Sequence, residues 1–406
     1  MNKRIELSNK IFPIYCGLSM DLVFYIAINT LFLTTVKGLT SSEINLINTV
    51  GVLTSLFLYL ISYKIIDKIG NIVSIRLGSA LMLLAAILFT FSTKITFFII
   101  ANILYEVSFV FKCVDIVILN KNLERENRES EFVKVKAKTT TIYSAATMFA
   151  TLVSGFLFNV NPYIPMLICI LICTLNLILS FFICDIDIED KKEPIKEKQN
   201  IKITAIIIFT ILAYGILFGL IGVTQTNDKL FMIYELQKFL NAKTVSLTIS
   251  IILFLSRVSR LLSNIILPKI YRKLKNKMLY IVYLSLLISV LLFIIGKILF
   301  PPLIGSILMA IGFLLLLSLR DPAENILSTI LLKNTKKKDK EQAMIYMQFT
   351  RKFTLFVLSL LATIILGKYK LIHLYTIIII IVLLYGLLIA KLYNLLNKSD
   401  NLKEGR

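Results

Sequence analysis

Apolar residues in this chain come in blocks of about 20, repeated from one end to the other, and no other feature constrains the fold as strongly. A helix rises about 1.5 Å per residue, so each block is long enough to cross the roughly 30 Å hydrocarbon core of a bilayer. Inside hydrocarbon every backbone N–H and C=O must be satisfied within the chain, which leaves helices as the solution for single blocks. The blocks predict spans near 11–34, 44–63, 73–93, 96–119, 139–159, 163–184, 203–225, 245–267, 278–299, 302–328, 343–366 and 371–394. Composition agrees: 57% of residues are hydrophobic and 17% charged, where a soluble domain carries roughly a quarter charged. The fold class read from this is an all-α membrane protein of about twelve transmembrane helices.

The residues before the first block are polar and basic (Lys3, Arg4, Lys10), and the block itself is full length. It is expected to remain as the first span rather than to be removed as a signal peptide. A net charge of +21 points to nucleic acid in a soluble protein, but here it follows the positive-inside rule and contact with anionic lipid. With the N-terminus inside, cytoplasmic segments carry about 31 Lys and Arg and external segments about 8. Both termini are therefore expected in the cytoplasm of a cell membrane. The abundance of Ile, Lys and Asn suits an AT-rich bacterial genome.

The polar stretch Asp185-Ile186-Asp187-Ile188-Glu189-Asp190 divides the spans into two sets of six. The expected organisation is an N-terminal bundle over 1–184, a linker over 185–202 and a C-terminal bundle over 203–406. The halves echo each other at an offset of about 205 residues, as at Asp67-Lys68 against Arg272-Lys273 and Ile142-Tyr143 against Ile345-Tyr346. The external segment 226–244 is long and mixed in charge, and reads as a connection with an amphipathic extension.

Six plus six spans, a charged centre and two cytoplasmic termini resemble the major facilitator superfamily of secondary transporters. The loop after the second span carries the sharpest match. The family pattern is Gly-x-x-x-Asp-Arg/Lys-x-Gly-Arg/Lys, and this chain reads Tyr63-Lys64-Ile65-Ile66-Asp67-Lys68-Ile69-Gly70-Asn71. Asp67, Lys68 and Gly70 match; Tyr63 stands for the leading glycine and Asn71 for the last basic residue. The resemblance implies two pseudo-symmetric six-helix bundles, with this loop as a gating element. The nearest pattern is that of the twelve-span drug/proton antiporter-like members. Their fourth span often reads Ala-Arg-x-x-Gln-Gly, where this chain has Ala101-Asn102-Ile103-Leu104-Tyr105-Glu106.

Ionisable groups within spans are costly unless they face protein or water, so they mark candidate sites. In the family the first, fourth, seventh and tenth spans line the transport path. That implication selects Asp21, Tyr25, Asn102, Tyr105, Glu106 and Tyr214, with Arg257 and Arg260 of the eighth span, for substrate and proton coupling. Asp21 and Glu106 are the candidate proton carriers. Lys112 and Asp115, three apart, read as a pair on one helix face; with Arg320, Asp321 and Glu324 they join the gating set of Asp67, Lys68 and Gly70. Pro322 predicts a kink. Gly215, Gly219 and Gly222 predict close helix approach.

The expected function is secondary active transport of a small molecule by alternating access, with proton-coupled efflux as the leading form. The competing readings are uptake of an anionic metabolite through Arg257 and Arg260, and a membrane-embedded lipid-handling protein or enzyme on the same scaffold. The expected partners are a small-molecule substrate, a proton or other cation as coupling ion, and the lipid bilayer, with no nucleic acid and the chain acting as a monomer. No cofactor, metal site or catalytic constellation is expected, because no phosphate-binding glycine loop or metal-ligand cluster is visible.

Overall fold

The structure, a computed structural model, describes residues 3–126, 128, 131–185, 204–335 and 340–404. Most of the expected linker therefore lies outside the described residues, as does the side chain of Asp67. The described residues are helical almost throughout, and ten of their helices are long and apolar enough to cross a membrane. An eleventh apolar helix, Ile164–Ser180, is shorter. The chain separates into two compact units, one of Met1–Leu39 with Leu46–Lys198 and one of Thr40–Asn45 with Gln199–Arg406.

The first unit runs α1 (Lys3–Ser19), α2 (Val23–Leu31), α3 (Ser41–Ile69, whose start, up to Asn45, groups with the second unit), α4 (Asn71–Phe91), α5 (Ile95–Lys112), α6 (Asp115–Arg125), α7 (Phe132–Val160) and α8 (Ile164–Ser180). A π-helical turn, Phe32–Val36, extends α2. Two of its expected spans are thus interrupted: the first breaks over Met20-Asp21-Leu22 and the fourth over Cys113-Val114. α4 packs on α5 and α8, and α1 on α7 and α8. Between α1, α4 and α8 a buried polar chain links Tyr15, Ser79 and Asn176: Ser79 Oγ donates to Asn176 Oδ1 at 3.4 Å, and Asn176 Nδ2 donates to the Tyr15 carbonyl at 2.7 Å. The Tyr15 and Ser79 hydroxyls share a further contact at 3.4 Å. Such interhelical bonds hold apolar helices together where water exclusion gives no driving force.

The second unit runs α9 (Ala205–Leu236), α10 (Ala242–Leu274), α11 (Met278–Leu299), α12 (Pro302–Ser318), α13 (Arg320–Asn334), α14 (Lys340–Lys368) and α15 (Leu371–Glu404). α9 and α14 approach closely, because a Cβ on Gly215 would lie 2.4 Å from the Thr350 methyl and one on Gly219 2.7 Å from the Thr354 methyl. The glycine series of α9 serves this contact. α12 and α13 meet at Leu319, and the proline explains the break. Pro322 has no N–H to give the Ser318 carbonyl, while in the first turn of α13 that missing donor costs nothing. The break at 319 lies 205 residues after the one at 114, so the duplicated halves interrupt their fourth and tenth spans at matching places.

The segment 226–236 is not a connection; it continues α9. Nor is it amphipathic, since Asn227, Asp228, Lys229, Leu230, Phe231, Met232, Ile233, Glu235 and Leu236 are all buried.

Candidate functional site

In the first unit the two helix breaks lie side by side and polar groups tie them together. Asp21 sits in the break of the first span, where its Oδ1 accepts from the amide of Leu22, the residue just before α2, at 2.8 Å. The Tyr105 hydroxyl of α5 donates to the same oxygen at 2.6 Å. Lys112, the last residue of α5, is buried; its Nζ donates to the Ser19 carbonyl at 2.6 Å and lies 3.2 Å from Met82 Sδ. Asp115, the first residue of α6, accepts from Cys16 Sγ at 3.6 Å, and its Oδ1 is buried without a partner among the described residues.

Lys112 and Asp115 do not form the expected ion pair. The i, i+3 geometry needs an unbroken helix, and the helix breaks between them. Each instead binds the chain around the break of the first span. Asn102 is buried, and its Nδ2 donates to the Ile47 carbonyl of α3 at 2.8 Å, against Gly51. Tyr25 is buried and stacked on Phe89 with centroids 4.5 Å apart. Glu106 is half-buried beside Tyr105.

The motif loop forms the turn between α3 and α4. Gly70 has φ 80°, a conformation that only glycine adopts without strain, and the first turn of α4 starts from its carbonyl. Asn71, at the position where the family pattern has a basic residue, donates from Nδ2 to Asp185 Oδ2 at 2.8 Å. An amide thus does part of what a cation does there. Lys68 is exposed.

In the second unit, Tyr214 of α9 is the centre of a cluster that the sequence reading did not assemble. Its hydroxyl donates to Glu324 Oε1 of α13 at 2.9 Å and accepts from Gln348 Nε2 of α14 at 3.1 Å. Its ring packs on Phe218 at 4.5 Å, and the Arg351 guanidinium lies over the other ring at 5.2 Å from the Phe218 centroid. Arg260 is committed elsewhere: it holds Asp321 through bonds of 2.6, 2.8 and 3.1 Å. Arg257 has no such partner among the described residues, and Arg320 is half-buried.

Two further groups in this unit escaped the sequence reading. Asp228 and Tyr375 are both buried and hydrogen-bonded to each other, and Asn227 exchanges amide bonds of 3.0 and 3.3 Å with Asn45. Glu235 accepts from both Lys238, at 2.6 Å, and Lys297, at 2.5 Å. Burial works to lower the Lys238 ammonium, but its bonds to Glu235 hold it above its ordinary value. Continuing the hydrophobic period past Thr226 is the signal that would have placed these residues on a helix.

Paired polar groups at interrupted membrane helices, in each of two helical units, are the construction of a membrane transporter. The chain belongs to the Major Facilitator Superfamily, whose family model matches residues 11–351. It is similar to the crystal structure of the nucleoside transporter NupG, with a TM-score of 0.73 at 12% identity over 97% of this chain and 98% of that one. It is also similar to a bacterial homologue of the iron transporter ferroportin in an inward-facing state, with a TM-score of 0.66 at 15% identity over 97% and 99% of the two chains. No curated protein matches it in sequence. The chain is a multi-pass secondary transporter rather than an enzyme.

Proposed function

We propose that this protein exports a small organic molecule in exchange for protons, with Asp21 as the coupling group. The observation that carries this reading is the position of Asp21: a carboxylate in the break of the first span, bonded to one tyrosine hydroxyl and one free backbone amide. A group so placed can exchange charge for a proton and change how the two half-helices are held. Glu106, on the same helix as Tyr105, is the second acid of this path. In the second unit, Tyr214, Glu324, Gln348 and Arg351 offer donors, acceptors and a cation for the substrate. The Asp67-Lys68-Ile69-Gly70 loop favours a gate of the exporter kind, and the Lys and Arg distribution favours a cell membrane with both termini in the cytoplasm.

The nucleoside and iron transporters share the fold at 12% and 15% identity, so their cargoes do not carry over. The alternative of anion uptake loses one of its two arginines, because Arg260 already holds a carboxylate. It would rest on Arg257. The test is a flux screen in proteoliposomes under an imposed pH gradient. Asp21→Asn is expected to abolish gradient-driven transport while the protein still inserts; normal pH-driven flux in that variant overturns the role. Loss of anion binding on Arg257→Ala would instead favour the uptake reading.

A further inference from the structure

We propose that the Lys112 ammonium is a built-in cation: it fills a small-cation site at the carbonyl end of α1, and removing it turns that place into a site for a free monovalent ion. A helix that ends inside a membrane leaves carbonyls without partners and the negative end of its dipole exposed. α1 ends this way at Ser19, and in broken transporter helices such ends are where coupling cations bind. Here the protein supplies the cation itself. Lys112 Nζ sits 2.6 Å from the Ser19 carbonyl and 3.2 Å from Met82 Sδ, and lies 5.0 Å from the centre of the Phe109 ring. Lys112 is 5% exposed.

The surroundings are made to fit the side chain. Its stem crosses α4 at Gly78, where a Cβ would stand 2.6 Å from Lys112 Cγ. Two acids stand at the same pair of breaks: Asp115, which accepts from Cys16 Sγ, and Asp21, which accepts from Tyr105. Asp115, just across the helix break from Lys112, keeps one buried oxygen without a partner among the described residues, so an acceptor near the ammonium is left unused. A carbonyl, a thioether, an aromatic face and a nearby carboxylate form a cage for one positive charge of ammonium size. While Lys112 occupies it, no sodium or potassium dependence enters the transport cycle through this site.

The experiment measures thermal unfolding of the purified full chain in detergent, in chloride salts of sodium, potassium, methylammonium and the bulky N-methylglucamine. The wild type is expected to unfold at one temperature in all four. Lys112→Ala is expected to unfold about 5 °C lower in N-methylglucamine and to recover at least half of that loss in methylammonium or potassium. A Lys112→Ala protein that responds to these ions no more than the wild type overturns the proposal. Should that variant not accumulate, Lys112→Met decides, since it keeps the length and loses the charge. It is expected to be destabilised in every salt, and wild-type stability in Lys112→Met overturns the proposal.

Discussion

Gly78 shows how narrow the path for a single side chain is. The Lys112 stem passes over it, and a Cβ there would stand 2.6 Å from Lys112 Cγ and 2.9 Å from the Ser108 carbonyl oxygen. Gly78→Val is expected to lower stability by about 1–3 kcal/mol, read as a fall in thermal unfolding temperature. Tyr105→Phe keeps the ring packed on Phe109 but removes the donor to Asp21. It is expected to cost about 0.5–1.5 kcal/mol in the same assay. At this scale the sequence was only partly legible. It marked Asp21, Lys112 and Asp115 as charges in unfavourable places, but their partners, Tyr105, Ser19 and Cys16, come from other helices or from backbone. Spacing along one helix misled for Lys112 and Asp115, because pairing rules hold only while the helix does.

The interrupted helices explain most of the polar chemistry at the scale of elements. In the tenth span Pro322 withholds one N–H, the chain turns at Leu319, and Asp321 enters the first turn of α13, where the dipole favours an acid. Arg260 of α10 then locks onto it. Asp321→Asn leaves that arginine partly buried without its carboxylate and is expected to destabilise by about 1.5–3 kcal/mol in chemical or thermal unfolding. Replacing both residues with apolar ones of similar size should restore most of the loss. Pro322→Ala returns the missing donor, so the new amide at position 322 is expected to bond the Ser318 carbonyl and exchange slowly in hydrogen-exchange measurements. The break of the fourth span has no proline, and its register was not visible in the sequence. The α9 extension was missed for a related reason: Asn227-Asp228-Lys229 looks like a loop when read as composition, although Tyr375, Asn45 and the buried surroundings satisfy part of it within a helix.

For the whole molecule, topology is the open measurement. Reporters fused to either end are expected to sit on the cytoplasmic face, as the excess of Lys and Arg in alternate connections requires. The sequence by itself determined that the chain is an all-helical membrane protein and where most of its apolar helices run. Span length and hydropathy are local properties that hydrocarbon imposes on each segment separately. The motif glycine at position 70 belongs here too, since its positive φ is a demand of the turn it makes. Only the tertiary structure decided which polar groups meet: Asp21 with Tyr105, Lys112 with the end of α1, Tyr214 with Glu324 and Gln348, Arg260 with Asp321. Those meetings depend on the rotation of each helix and on where it breaks, and several faces of one apolar helix satisfy the same hydrophobic pattern. Packing between helices, through contacts such as Gly215 on Thr350, selects one of them.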